Sequence, residues 1–418
     1  MEKRKFVFFA ATVGNVLEYY DFTIFTVFTV IIGRVFFSQQ SEFSQILSAL
    51  AVFSMGFVTR PIGGIIFGFI ADRFGRRISL IISMLGMTIP TLIIGLIPGY
   101  DMIGIYAPII LTAMRLLQGL CISGEGTGTA IFVLEHYKSL RPGFITGLVH
   151  SSNIGGTILA SSVGMLIGYY LPGISWAWRL AFILGGVLGI VGFYLRLQVS
   201  ESPEFTQIQI QKKILKSPLK NVFQTACPSM IITFMIAGLA SCIIYFIKGY
   251  LNIFMQTVHH LSVQESLLYF TFTNIMVMIS MPIGGALTDR YGKEKTIKII
   301  VILIILLILP LMYMLSQNNI IFIYCALLLI GFLAGCLAAC AYIFSISLFS
   351  AEQRVTGVAL SYNSGVALFG GTTPVISNLI YKYTNIPYSP SYYIMLLAMV
   401  CIFILLFFKN YISKNLQK

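Results

Sequence analysis

From Phe6 to Gly33 the chain is almost uninterruptedly apolar, and Glu18 and Asp21 are the charged residues inside that run. Runs of this kind recur along the whole chain, each about the 20 residues that a helix needs to cross a bilayer. They are continuous rather than alternating, which excludes a β-barrel and predicts helices. The pattern predicts twelve membrane helices, at roughly 6–33, 45–70, 78–98, 104–129, 144–170, 177–197, 225–256, 264–288, 296–316, 320–349, 356–381 and 391–410. One long polar connection, with Lys212, Lys213, Lys216 and Lys220, divides them six and six. The expected organisation is a bundle over 1–197, a linker over 198–222 and a second bundle over 223–418.

Composition agrees: 57% of the 418 residues are hydrophobic and 10% charged. The net charge of +13 changes the picture only through its distribution. With both termini on one side, 21 of the 27 Lys and Arg residues lie at the termini or in loops of that side. Arg34, Arg179 and Lys382 lie toward the other, and Arg60, Arg115 and Lys248 inside spans. The positive-inside rule makes the basic side cytoplasmic. The charge is thus a topology signal with some attraction for anionic lipid, and a nucleic-acid partner is not expected. Seven Cys residues lie mostly within spans, with no metal spacing. Cys336 and Cys340 share a helix face and read as packing. The basic start MEKRK runs into a span too long for a signal peptide. Trp176 and Trp178 read as an aromatic belt at the outer interface.

A loop is repeated. GGIIFGFIADRFGRR (Gly63 to Arg77) follows span 2, and GGALTDRYGKEK (Gly284 to Lys295) follows span 8. Both give Asp-Arg-aromatic-Gly and then basic residues, at corresponding positions of the two halves, which implies an internal duplication. Two six-helix bundles related by an axis along the membrane normal form a transporter plan, with substrate bound at the interface of the halves. Gly68 permits close helix approach, and Gly75 permits a turn with positive φ. Asp72 is expected to accept hydrogen bonds from a facing helix N-terminus. Arg73, Arg76 and Arg77, with Asp289 and Arg290 of the second copy, complete an expected cytoplasmic gate.

These residues resemble the major facilitator superfamily, whose signature loop is similar to Gly68–Arg77. GNVLEYYDF in span 1, RLLQGLCISGEGTGTA in span 4, WRLAFILGGVLGIVGFYLRLQVSESPEF through span 6 and RVTGVALSYNSGVALFGGTTP in span 11 resemble one branch. That branch is the metabolite:proton symporters, including proline/betaine, α-ketoglutarate, citrate and shikimate transporters. The resemblance implies an all-α polytopic fold and proton-coupled uptake of a small polar metabolite by alternating access. It also implies a bacterial inner-membrane location, a monomeric functional unit, and no cofactor besides the coupling proton. Lys293 and Lys295 replace a tighter Arg pair, and Lys248 is not part of the pattern. The chain stops soon after span 12, so regulation by the C-terminal coiled coil of osmosensing relatives is not expected.

A charge at mid-bilayer costs about 2.5–3.5 kcal/mol on insertion scales and marks a functional candidate. Glu18 and Asp21 are one turn apart, about 4.5 Å of rise, so both do not readily ionise together. Arg115 matches the Arg of an RxxxG pattern ending at Gly119. Its approach to Asp21 would hold that acid ionised and leave Glu18 as proton carrier, or the reverse. Glu125 is placed near the cytoplasmic end of span 4, as a gate, a relay or a rim residue. These four are the proton-coupling candidates. Arg60, in an RPxGG pattern, contacts a substrate anion or pairs with an acid. Lys248 either snorkels or binds a carboxylate. Tyr19, Tyr20 and Tyr250 are candidates for an ammonium group, and Asn153 and Asn363 for cavity lining, as are His150 and Asn274.

No HExxH, nucleophile motif or P-loop is present, so an enzyme is not expected. GEGTGT (Gly124 to Thr129) lies in a span without a preceding strand. The leading expectation is a proton symporter of a zwitterion such as proline or glycine betaine. A di- or tricarboxylate symporter is the rival, favoured by Arg60, Arg115 and Lys248 together. A non-coupled facilitator or receptor ranks below both.

Overall fold

The computed structural model describes residues 2–137, 141–213, 215 and 217–416. Every one of the twelve apolar runs is helical. The first is Glu2–Val27 continued by Thr29–Phe36, the second Glu42–Val58 with Arg60–Phe74, and the third Arg76–Leu96. Tyr106–His136, Pro142–Tyr170 and Trp178–Leu197 follow as spans 4 to 6. In the second half, Cys227–Tyr245, Phe246–Tyr250 and Leu251–Val258 together form span 7. Val263–Tyr291, Lys293–Leu315 and Ile320–Ser347 are spans 8 to 10. Arg354–Gly365, Val366–Gly370 and Gly371–Thr384 form span 11, and Pro390–Phe407 forms span 12.

Among the described residues, nine helices are long and apolar enough to cross a membrane, or ten if the bent first span counts as one. The two remaining runs, spans 5 and 11, are helical but more polar. They carry Ser151, Ser152 and Asn153, and Ser361, Asn363 and Thr373. The bend in span 1 is 64°. Thr26 and Thr29 turn their hydroxyls onto the Thr23 and Phe25 carbonyls there, a back-bonding that bends helices.

Two compact units divide the chain, Met1–His136 with Ser152–Pro218, and Tyr137–Ser151 with Leu219–Lys418. The first unit packs around Phe25, Phe36, Leu111, Trp178 and Phe182. Trp178 is therefore a core residue rather than part of an interfacial belt. It is 2% exposed, with its ring 6.1 Å from Phe36 and 5.6 Å from Phe182. Trp176 alone of the pair is exposed. Arg179 beside it donates to the Gly95 and Ile97 carbonyls, closing the otherwise unsatisfied end of span 3.

In the second unit, spans 8 and 10 meet through small side chains. Cys336 and Cys340 lie there as free buried thiols, 3.5 and 3.3 Å from the Ser280 and Gly284 carbonyls. Packing is their observed role. Gly143 and Gly285 bring the start of span 5 against span 8 so closely that a Cβ on either would run into the other's carbonyl. Gly285→Val is expected to abolish a monodisperse detergent peak in size-exclusion chromatography. Gly168→Val, where a Cβ meets nothing, should leave it intact.

Both π-helical turns of the described residues lie in this unit. Phe246–Tyr250 in span 7 packs on the last piece of span 11, Gly371–Thr384, and Val366–Gly370 in span 11 packs on the first piece of span 7. Such turns interrupt the regular hydrogen-bond ladder and recur at functional positions.

Candidate functional site

The first unit gathers five ionisable groups from three spans into its interior. Glu18 and Asp21 come from span 1, Arg60 from span 2, and Arg115 and Glu125 from span 4, and none is more than 3% exposed. Aromatic rings hold the two arginines. The Arg115 guanidinium lies 4.3 Å from the Phe25 ring, 5.1 Å from Phe53 and 5.2 Å from Phe22. The Arg60 guanidinium lies 4.9 Å from Phe22 and 4.4 Å from Phe57. Phe22 is thus shared by both cations, and its ring supplies part of the attraction that water would otherwise provide.

Asp21 and Arg115 do not form a direct ion pair among the described residues. They are joined by two neutral side chains. Arg115 Nη1 donates to Gln118 Oε1 at 2.8 Å, and Gln118 Nε2 donates to Thr91 Oγ1 at 2.8 Å. The Thr91 hydroxyl lies 3.0 Å from Asp21 Oδ2, and also 2.9 Å from the Met87 carbonyl. It carries one proton for these two acceptors. Arg115 keeps Nε and Nη2 buried without a hydrogen-bond acceptor.

Glu125 is fully engaged. Arg196 Nη1 donates to Oε2 at 2.5 Å, Arg196 Nη2 pairs with Oε1, and Ser83 and Thr129 donate at 2.9 and 3.1 Å. Glu18 stands in contrast: neither carboxylate oxygen has a hydrogen-bond partner.

Sequence reasoning missed Arg196, which it placed at the end of span 6 without a role. Span 4 is 31 residues, about 46 Å, while span 6 is 20 residues, about 30 Å. The overhang of span 4 brings the end of span 6 level with Glu125, which is therefore a buried ion-pair partner and not a rim residue. Comparing the two helix lengths would have revealed it.

At the repeated loops both copies turn on a glycine. Gly75 takes φ 121° and Gly292 φ 88°, values that favour glycine. Asp289 accepts from the backbone N–H groups of Gly143 and Phe144 at 2.7 and 2.9 Å. Asp289 thus makes a helix-terminus bond of the kind expected of Asp72. Asp72 is buried and lies 3.4 Å from Arg76, which also pairs with Glu135 at 3.3 Å. Glu201 accepts from the backbone N–H groups of Arg76 and Arg77, and Arg77 donates to the Leu197 carbonyl at 2.5 Å. Glu135 and Glu201 were not singled out in the sequence, although ESP at 201–203 lies within a quoted motif. Arg73 is exposed and lies over Phe69 and Phe74, Arg290 is exposed over Tyr291, and Gly68 is buried.

The remaining candidates separate by unit. Tyr20 is fully buried and donates to the Ala181 carbonyl at 2.8 Å, so its hydroxyl fixes span 1 to span 6. Tyr19 is half-buried and Asn153 is buried. In the second unit Lys248 sits on the π turn of span 7 and acts electrostatically on His150. The His150 ring is 4.6 Å from Tyr342, itself 4.8 Å from Tyr362. Asn363 donates to the Ala359 carbonyl, and Asn274 to Phe270. The Tyr250 hydroxyl is buried without a hydrogen-bond partner.

An all-helical membrane protein with buried charges in one bundle, duplicated Asp-Arg loops and broken helices in the other has the build of a secondary transporter. The chain belongs to the Major Facilitator Superfamily, whose family description matches residues 11–372. It is 29% identical to the glycine betaine/proline/ectoine/pipecolic acid transporter OusA of Dickeya dadantii, covering 98% of this chain and 84% of the relative. It is 29% identical to the proline/betaine transporter of Escherichia coli K12, covering 94% and 80%. It is 32% identical to the citrate-proton symporter of Klebsiella pneumoniae, covering 93% and 88%. Among solved structures it resembles the proton:xylose symporter XylE, with a TM-score of 0.78 at 15% identity over 98% of this chain and 96% of that one. The human organic anion transporter MFSD10 matches with a TM-score of 0.72 at 12% identity, covering 96% and 99%. These likenesses point to transport rather than catalysis.

Proposed function

We propose that the chain is a proton symporter that takes up a small zwitterion, with proline and glycine betaine as the best substrates, and that Glu18 carries the proton. One observation carries the coupling role: of the three acids in this cluster, Glu18, Asp21 and Glu125, Glu18 alone has both oxygens without a hydrogen bond. An ionised carboxylate in such a place costs far more than a protonated one. Glu125 already has its cation, and Asp21 has the Thr91 hydroxyl and, beyond it, Arg115.

Arg60 and Arg115 are then the anchors for the substrate carboxylate. Arg115 offers two buried N–H-bearing nitrogens without an acceptor, and a planar guanidinium suits a carboxylate. Asp21 and Tyr19, on the same span as Glu18, are the partners proposed for the cationic end. In the second unit, Lys248, Tyr250 and Asn363 are the proposed contacts, placed around the two π turns. A proton taken by Glu18 removes one negative charge from beside the proposed carboxylate anchors, so substrate and proton favour each other's binding. Alternating access then delivers both to the other side.

The gate residues Asp72, Arg76, Asp289 and Arg290 belong to the cytoplasmic rim in this reading. The basic loops and both termini lie in the cytoplasm of a bacterial cell, and one chain is the functional unit in the lipid bilayer. The citrate-proton symporter relative and the pair of buried arginines favour a second reading, uptake of di- or tricarboxylates.

The test is uptake into proteoliposomes with an inside-alkaline pH gradient, using labelled proline, glycine betaine, citrate and α-ketoglutarate. Accumulation of proline or betaine that collapses with a protonophore is expected. Accumulation of citrate alone moves the assignment to carboxylates, and uptake indifferent to the gradient overturns symport.

A further inference from the structure

Arg196 occupies an unusual position for a residue whose ion pair is complete. Its Nη atoms are both committed to Glu125, yet its Nε is buried without a partner. The guanidinium presses on span 1 at Gly14, where a Cβ would collide with it. Gly14 is four residues before Glu18 and on the same helix face. The groups facing Glu18 are Glu125 and Cys121 from span 4, Arg196 from span 6, Arg60 from span 2, and Asp21 on its own span. Arg60 is held over Phe22 and Phe57. Arg196 is therefore the cation placed to serve either of two acids, Glu125 or Glu18.

We propose that Arg196 is a shared counter-ion: Glu125 holds it away while Glu18 carries a proton, and it turns to Glu18 when that proton leaves. Glu125 and Arg196 are positioning residues in this scheme, since neither takes the transported proton. The Ser83 and Thr129 hydrogen bonds remain on Glu125 when the guanidinium departs. The exchange gives the deprotonated carrier, which has no hydrogen bond of its own, a partner, and leaves the uncompensated charge on Glu125, where two hydroxyl donors remain. The inference rests on Glu18 as the proton carrier.

The experiment is the pH dependence of substrate uptake in proteoliposomes, for the intact chain and three variants. Glu125→Gln releases Arg196 to Glu18 permanently, which favours the carboxylate form. Half-maximal uptake should move toward acid by about one pH unit, the size of effect a neighbouring opposite charge exerts. Glu125→Gln combined with Arg196→Gln removes both charges, and half-maximal uptake should return close to the original pH. Where Glu125→Gln does not reach the membrane, Glu125→Asp, which shortens the clamp, should move the profile in the same direction. An unchanged profile in the single variant, or an equal acid shift in the double variant, overturns the exchange. Gradient-driven accumulation surviving in Glu18→Gln would overturn the carrier assignment itself. Loss of accumulation there with no shift in Glu125→Gln overturns the exchange alone.

Discussion

Glu18→Gln should abolish accumulation of substrate against its gradient while leaving substrate counterflow across the membrane. The glutamine is nearly isosteric and neutral at every pH. It mimics the protonated acid, which in this account is the substrate-binding form. Exchange of labelled for unlabelled substrate requires only that form, so it should persist at a comparable rate. Net accumulation requires the proton to leave on the other side, and the amide has none to give. Asp21→Asn should behave differently, because Asp21 is tied through Thr91 and Gln118 to Arg115. Its loss changes the charge next to the proposed substrate site, and both accumulation and exchange should fall. The two measurements, made on equal amounts of inserted protein, separate a proton carrier from a binding residue.

The second large effect is on stability. Arg76→Ala should lower the unfolding free energy by about 3–5 kcal/mol, the usual consequence of removing one partner from a buried ion pair. Arg76 is 1% exposed and faces Asp72 and Glu135, while its Nη1 donates to the Ala71 carbonyl and Phe205 packs on its guanidinium. The alanine leaves two acids buried near one another without that cation. The midpoint of thermal unfolding in detergent, read by dye binding to buried thiols such as Cys121, should fall markedly. Arg73→Ala serves as the comparison. Arg73 is exposed and lies over the Phe69 and Phe74 rings, so its removal should change the midpoint little.

The helices were legible because bilayer length and apolar continuity constrain the sequence at every span. Spans 5 and 11 are more polar than the rest and still form helices over the runs the apolar pattern marked. The acids of span 1 and the arginines of spans 2 and 4 were legible for the reverse reason, as charges in apolar runs. Their partners were not. Arg196 sits where an apolar run ends, and a charge there reads as a loop residue until helix lengths are compared. Thr91 and Gln118, which join Asp21 to Arg115, are uncharged and are common in spans, so periodicity gives no reason to select them. Trp178 was misread because two nearby tryptophans at a helix start resemble a belt, although Trp176 precedes the helix and only Trp178 packs into the core. The π turns around Lys248 and Phe369 have no sequence signature comparable to Pro or Gly, and only backbone geometry exposes them.

The central claim is that substrate and proton move together and that Glu18 is the proton's site. Substrate-induced proton movement tests it most directly. Substrate is added to proteoliposomes without any pre-formed pH gradient, and the external pH is followed with a dye. The intact chain should alkalinise the medium as it takes up substrate, and Glu18→Gln should not, although substrate still equilibrates. Alkalinisation of the same size in Glu18→Gln, or none in the intact chain during uptake, would contradict the account.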